Sequence, residues 1–555
     1  MVVRKPLGFP YGRRVMHLFT VAVLVIGAGC APKAAPPPAA LQLADDFRLP
    51  TQVAVLPFAN STPEPTAPDM VRKVFYNFFS SLNYRDVELF TVDQMLKDKN
   101  RDALAATGNG LPLGQVCQYL GVDAIVGGQV TRFKKLYAAL YTNTQVGGKV
   151  WMRHCETGQL IWQMEHTANQ RDGDLPLDIP GLAMSLVTTY MRYARVSMLE
   201  VTIKLCTELI ATIPNPVLVG ESPPKISIMV HNGADRPIRP GDALRVALVG
   251  EPGHTASWDL SEDIRNLPLV EKEHGIYVGE YVVQKSDKHV SAHLVGWLTA
   301  SSGAKSRWVD VLGPVTLGEP TPVPALIEQD LTLTRNNGPY LASDWVVVSP
   351  NATLTVEPGV SVWFQEFGMV VKGRLHAEGE PGRPVRFLGL GDNPWKGVIL
   401  DAAQGENRLI HSELAGAQHG VHARGSKLVV DNTVFRDNQW GIVMEGGELV
   451  MIQSILRDSR KAGLSARRSR VAVDTSLITD NAGGGAQFLQ SRVELTGNSI
   501  FGNQEWDVKN HDPQATLQLP GNWWGTTDPA AVRIKGSVEV TPLLETAPAL
   551  LRVER

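Results

Sequence analysis

The alternation of apolar and polar positions changes character from one stretch of the chain to the next. Val15 to Gly29 is mostly apolar and follows a start carrying Arg4, Lys5, Arg13 and Arg14 with no acid. A basic start, a short apolar run and small residues before Cys30 predict a secretory signal over 1–29. The run is too short to cross a bilayer and remain there. Residues 30–45, beginning CAPKAAPPPAA, read as a stiff Pro/Ala tether. Val53-Ala54-Val55-Leu56-Pro57-Phe58 reads as a short buried strand. Val71, Val74, Phe75, Phe78, Phe79 and Leu82 recur at three- and four-residue steps, one wide helical face. Val87 to Phe90 reads as a strand and Val92 to Leu104 as a helix. Asp123 to Val130 reads as a strand, and Val146 to His154 and Leu160 to His166 form a hairpin around Glu156-Thr157-Gly158. From Pro180 to about Ile213 the period is helical. These elements predict an α/β domain over 46–215.

Over 220–318 the period falls to two. Ile226, Ile228 and Val230 alternate, as do Leu244, Val246 and Leu248, with turn clusters between. This predicts an all-β sandwich. Glu319 to Pro324 reads as a linker. Over 325–545 a longer period takes over. Val421, Ile442, Leu464, Ala486 and Val508 are spaced by 21, 22, 22 and 22 residues, and a glycine precedes each of the first four. Ala417, Asn438, Ser459, Asn481 and Asn503 share the spacing. So do Leu428, Leu449, Val471 and Val493. A fourth column runs Leu414, Phe435, Leu456, Ile478 and Phe501, with a last step of 23. Columns sharing one period predict stacked coils at ~4.8 Å, each inward position forming a ladder. The fold class is therefore multidomain: an α/β domain, a β-sandwich and a parallel β-helix.

Several motifs resemble known families. Cys30 after small residues resembles a bacterial lipobox, although Gly27 stands where that family prefers Leu. The resemblance implies a diacylated Cys30, membrane attachment through it, and, with Ala31 following, outer-membrane sorting. The elements around VAVLPF, LGVDAIVGGQV and CETGQLIWQ resemble lipoproteins related to the curli-secretion CsgG family and the N-terminal domain of TolB. Such proteins are mostly non-enzymatic envelope assembly or transport accessories, and the resemblance implies a homo-oligomer through this domain. The sandwich resembles Ig-like modules of bacterial surface proteins. The Asn column, ATLTVEPGVSV and Gly521-Asn522-Trp523-Trp524-Gly525 resemble right-handed parallel β-helices of the pectate-lyase-like kind.

Composition narrows the function. The chain has 555 residues and a net charge of −3, which argues against a nucleic-acid partner. Cys117, Cys155 and Cys206 allow at most one disulfide among themselves. Gly127-Gly128 lacks the Gly-Lys-Ser/Thr of a phosphate loop, and no metal or cofactor motif appears. The best constellation for chemistry is Asp437, Asp458 and Asp480, one per coil. On one ladder they would stand ~5 Å apart, suited to a glycosidase pair or a Ca²⁺ site on an acidic sugar. As turn residues they would be structural. Arg460, Lys461, Arg467, Arg468 and Arg470 form a basic strip open to an anionic glycan or to solvent. Trp523 and Trp524 either close the apolar column or stack on sugar. The leading expectation is a non-enzymatic, lipid-anchored outer-membrane protein, facing the periplasm or the cell surface. It would act in envelope assembly or recognition, with the β-helix as an arm for a polysaccharide or an envelope protein. The alternatives are a polysaccharide lyase, hydrolase or epimerase, and a secretion or transport accessory.

Overall fold

The computed structural model describes residues 48–548, apart from 63, 65, 97–112, 139–140, 172–195, 218–219, 235, 262, 288 and 392. The predicted signal, Cys30 and the tether lie outside the described residues. The described part is mostly β and has few helices.

In the N-terminal region β1 (Gln52–Val55) lies between β3 (Arg85–Asp86) and β4 (Ala124–Ala138), parallel to both. Val53, Ala54 and Val55 are fully buried, as a parallel strand covered on both faces requires. β2 (Ala59–Asn60) also pairs with β4, while β5 (Tyr141–His154) and β6 (Leu160–Arg171) continue the sheet antiparallel. Helix α1 (Ala67–Phe79) carries Pro68 in its first turn, where the missing N–H costs nothing. It buries Val71, Val74, Phe75 and Phe79. Two expectations shift. The strand read at 87–90 is Arg85–Asp86, and α2 (Leu89–Met95) begins where it was read. The last helix is described as α4 (Val196–Ile210), after α3 (Leu113–Leu120). Gly127 and Gly128 lie under aromatic rings. A Cβ there would meet the rings of Trp151 at 2.1 Å and Phe58 at 2.9 Å. Cys117 and Cys155 form a disulfide tying α3 to the end of β5, and Cys206 is a buried free thiol.

Seven strands between residues 226 and 309 form one antiparallel path, with Ile226–His231 at one edge and Lys305–Val309 at the other. An exposed β edge invites pairing with other chains. Here α1 covers it. Asn77 donates to the carbonyl of Val309 at 2.9 Å and accepts from its N–H at 2.8 Å. Ser80 Oγ does the same for Arg307, at 2.8 and 3.1 Å. Two side chains of a helix thus stand in for a neighbouring strand.

The C-terminal region is a β-solenoid of three parallel sheets: sheet 1 with nine strands, sheet 2 with ten and sheet 3 with eight. Each strand pairs with the one a coil away. The first pairing begins at Thr321, inside the stretch read as a linker. The register reproduces the Val421, Ile442, Leu464, Ala486, Val508 ladder, and all five side chains are fully buried. The fourth column is corrected at its end. Ile478 pairs with Ile500, not Phe501, so the step is 22 and Phe501 faces outward beside Thr479. The glycine column has a steric cause. A Cβ on Gly420, Gly441 or Gly463 would meet the carbonyl of the next coil's glycine at 2.6, 2.4 and 3.0 Å.

Candidate functional site

The corners of the solenoid place Asp437, Asp458 and Asp480. Each sits in left-handed backbone, at φ 56°, 53° and 55°. Among residues other than glycine, Asn and Asp enter that region most readily because the short side chain bonds locally. The next residue in each case, Asn438, Ser459 or Asn481, points inward and is fully buried. Asn438 accepts from the N–H of Ala417 at 2.8 Å and donates to the carbonyl of Leu414 at 3.1 Å. Asn481 accepts from Ser459 N–H at 3.0 Å, and Asn503 from Asn481 N–H at 3.2 Å. Corner N–H groups that an apolar core would orphan are thereby paired. A second corner uses the same rule and escaped the sequence reading. Ser412 N–H donates to Thr433, Thr433 to Ser454, Ser454 to Ser476 and Ser476 to Asn498, all within 3.2 Å.

The outward face of sheet 1 beside the aspartates is ionic and covered. Arg386 and Arg436 reach Glu413 at 3.3 and 2.6 Å, and Arg436 also reaches Asp437 at 2.6 Å. Arg457 pairs with Asp458 at 3.7 Å and with Glu64, which comes from the N-terminal region. The other carboxylate oxygen of Glu64 accepts from the Thr66 N–H at 3.2 Å, at the mouth of α1. Glu64 is 9% exposed, and outward-facing Ile455 and Leu477 are 1% exposed. Burial opposes the charge on Arg457, but Glu64 and Asp458 raise its pKa above the ordinary value. Burial, then the charge of Asp458, pushes the Asp480 carboxyl up to about 7. Thr479 Oγ1 donates to Asp480 at 3.2 Å. The three aspartates therefore stand at equivalent corners of successive coils. The sheet 1 face beside them is occupied at Arg457 by another part of the same chain.

The other sequence candidates are dispersed. Trp524 is 3% exposed and belongs to the solenoid core, so its ring has no face open to a sugar. Trp523 is half-buried and extends sheet 1 beside Ser499. Of the basic strip, Arg467 reaches Glu445 at 3.5 Å and Arg470 reaches Glu448 at 4.0 Å, while Arg468 occupies a left-handed corner at φ 49°. Among the described residues no group of three or more His, Cys, Asp or Glu is placed to hold a metal ion.

Sheet 2 carries a cluster that the sequence reading missed. Its outward columns are His419, Trp440, Ala462, Gly484, Trp506 and His422, Val443, Ser465, Gln487, Lys509. The rings of His419 and His422 lie 5.1 Å apart. Burial, then His422, Lys461 and Arg424, pushes His419 down to about 4. Burial and Arg424 also lower His422. His422 Nε2 has no hydrogen-bond partner and stands 3.6 Å from a Glu445 oxygen. Lys461 Nζ lies 5.5 Å from the centre of the Trp440 ring. Gln487 donates to Ser465 at 3.0 Å and pairs with His511 Nε2 at 3.1 Å. The 22-residue period was the available signal, since it aligns these polar residues as it aligns the core.

Two family models match separate stretches of the chain. Residues 46–213 match the family described as lipoprotein GNA1162-like. Residues 395–516 match the right-handed β-helix region family. The GNA1162-like domain is similar to lipoprotein GNA1162 from Neisseria meningitidis, with 19% identity over 26% of this chain and 96% of that one, at a TM-score of 0.22. A PelC dodecamer from Paraburkholderia phytofirmans matches with 12% identity over 30% of this chain and 88% of that one, at 0.19. The hypothetical protein CT253 from Chlamydia trachomatis matches with 13% identity over 29% and 94%, at 0.20. No curated protein matches the chain. A GNA1162-like lipoprotein domain joined to a β-helix fits a non-enzymatic envelope protein and suggests membrane-anchored localisation in the envelope. Among the described residues no helix is long and apolar enough to cross a membrane.

Proposed function

We propose that this protein is an outer-membrane lipoprotein, anchored through acylated Cys30, that acts in envelope assembly or recognition without catalysing a reaction. The GNA1162-like domain, read as α/β, serves association within the envelope. Residues 220–318, read as an Ig-like sandwich, are the spacer. The β-helix is the arm that meets a glycan or an envelope protein. The observation that carries this reading is the Glu64–Arg457 pair. It brings the GNA1162-like domain onto the solenoid face where the aspartates stand. A polysaccharide-cleaving enzyme needs that face open along several coils. Asp437 and Asp458 are moreover held by Arg436 and Arg457, and all three aspartates occupy corner conformations that the fold itself demands.

The test is a glycan-array screen of the full chain, with and without Ca²⁺. Each glycan bound is then followed by absorbance for unsaturated uronates and by reducing-end assay. Binding without product is the expected result. Product formation that Asp458→Asn abolishes would make the protein an enzyme and overturn the reading.

A further inference from the structure

We propose that the outward face of sheet 3 docks a second copy of this chain, the two solenoids lying side by side and parallel about a twofold axis along their length. The proposal goes beyond the recognition reading and does not depend on it.

The strands Lys427–Asp431, Glu448–Ile452 and Arg470–Asp474 pair in parallel and in register. Each buries its second and fourth side chains and turns the first, third and fifth outward. Three outward columns result. The middle one is apolar: Val429, Val450 and Ala472. On one side of it run Lys427, Glu448 and Arg470, and on the other Asp431, Ile452 and Asp474. The face is open. Ile452 is 37% exposed, whereas Ile455 and Leu477 under the GNA1162-like domain are 1% exposed.

This pattern is complementary to itself. Rotation about an axis along the solenoid lays the middle column on its own copy and sets the first column against the third, coil for coil. Lys427 then meets Asp431 of the second copy, and Arg470 meets Asp474, each pair occurring twice. Neither aspartate has an ion-pair partner of its own among the described residues. Asp431 accepts from Asn432 at 3.0 Å and Asp474 from Thr475 at 3.2 Å. Glu448 lies opposite Ile452 and keeps its own Arg470 at 4.0 Å. Arg408 and Glu494 end the middle column, where each meets its own copy. Both are neutralised within the chain, Arg408 by Glu406 at 2.9 Å and Glu378 at 3.3 Å, and Glu494 by Arg492 at 3.0 Å. An antiparallel pairing centred on the Glu448 coil would instead set Lys427 against Arg470 and Asp431 against Asp474, like against like.

Strand rise and coil spacing give this face about 400 Å² per copy. That is small for a specific interface, so the dimer is a weak one that forms as concentration rises.

The experiment is sedimentation of the full chain in detergent over a concentration series, which should show a monomer–dimer equilibrium. Arg470→Asp and Asp474→Arg should each raise the dissociation constant at least about tenfold, because each sets like charges together twice. The double variant Arg470→Asp/Asp474→Arg should return it to within about threefold of the parent. Val450→Glu, which sets a carboxylate against its own copy, should abolish the dimer. In a second measurement, Val450→Cys should be joined to its own copy by a short bismaleimide, and Ser465→Cys on sheet 2 should not. A monomer at every concentration would overturn the proposal. So would a dimer that the single variants leave unchanged, or a double variant that stays as weak as the singles with its thermal midpoint intact. Glycan binding is read separately on the array, so either reading can fail without the other.

Discussion

The GNA1162-like domain and the solenoid face the same requirement, that every buried backbone group find a partner, and meet it with opposite chain geometry. In the domain, β1 pairs with residues far away along the chain, Val53 with Ala124 and Gln52 with Arg85. Its outer helix is fixed by a disulfide spanning 38 residues. In the solenoid every strand pairs one coil away, and the N–H groups of Ala417, Ser459 and Asn481 are each met by a side chain from the next coil. The first arrangement holds or fails as a unit. The second is a sum of neighbour terms, so injury to it should stay local.

The largest expected effect comes from the solenoid core. Phe435 is fully buried between Leu414 and Leu456, and Phe435→Ala should cost about 3–5 kcal/mol. Hydrogen exchange should quicken in the coils around it, while the amides of β1 and β4 keep their protection. Cys117→Ser with Cys155→Ser should cost about 2–4 kcal/mol, with the opposite pattern: the whole domain loosens and the solenoid does not. Asn481→Ala removes an acceptor from the Ser459 N–H and should cost about 1–3 kcal/mol, read as faster exchange of that one amide. If its effect spread through all the coils, the local picture of the solenoid would fail.

Two smaller effects concern pH. Asp480 titrates near 7 in the folded protein, above its value in the unfolded chain. Folding therefore gains from its proton below about pH 4 and loses that gain as pH rises towards 7. Asp480→Asn should raise stability at pH 8 by about 1 kcal/mol, allowing for solvent screening, and flatten the pH profile between those limits. His419 shows the reverse sign. Its folded value near 4 lies below the unfolded ~6.5, so stability falls as pH drops between them. NMR titration of its ring should find it neutral at pH 6.

These contrasts explain what was legible in the sequence. A fixed period projects three-dimensional neighbours onto evenly spaced residues, so the inward ladders and the Asn column were readable. The slip from Ile500 to Phe501 came from two adjacent apolar residues, of which only one faces inward. The second corner ladder was hidden because it mixes Ser, Thr and Asn. Cysteine count allowed one disulfide among the three later cysteines without choosing the pair, since spacing alone does not say that α3 passes the end of β5. The contact between Glu64 and Arg457 joins residues 393 apart with no repeat to announce it. Its consequence, a covered aspartate face, was beyond any reading of local pattern.

The corner rule also bears on how such an arm changes length through descent. Asn438, Asn481 and Asn503 each follow a left-handed residue, and each accepts an N–H from the coil before and donates to a carbonyl of that coil. Duplicating or losing one whole turn keeps the ladders in register at the seam, whereas a change of a few residues inside a strand puts that coil out of register with its two neighbours. Because Arg457 is tied to Glu64, that turn is the fixed origin of the arm. Turns added beyond Asp480 would lengthen the solenoid and leave the domain where it sits.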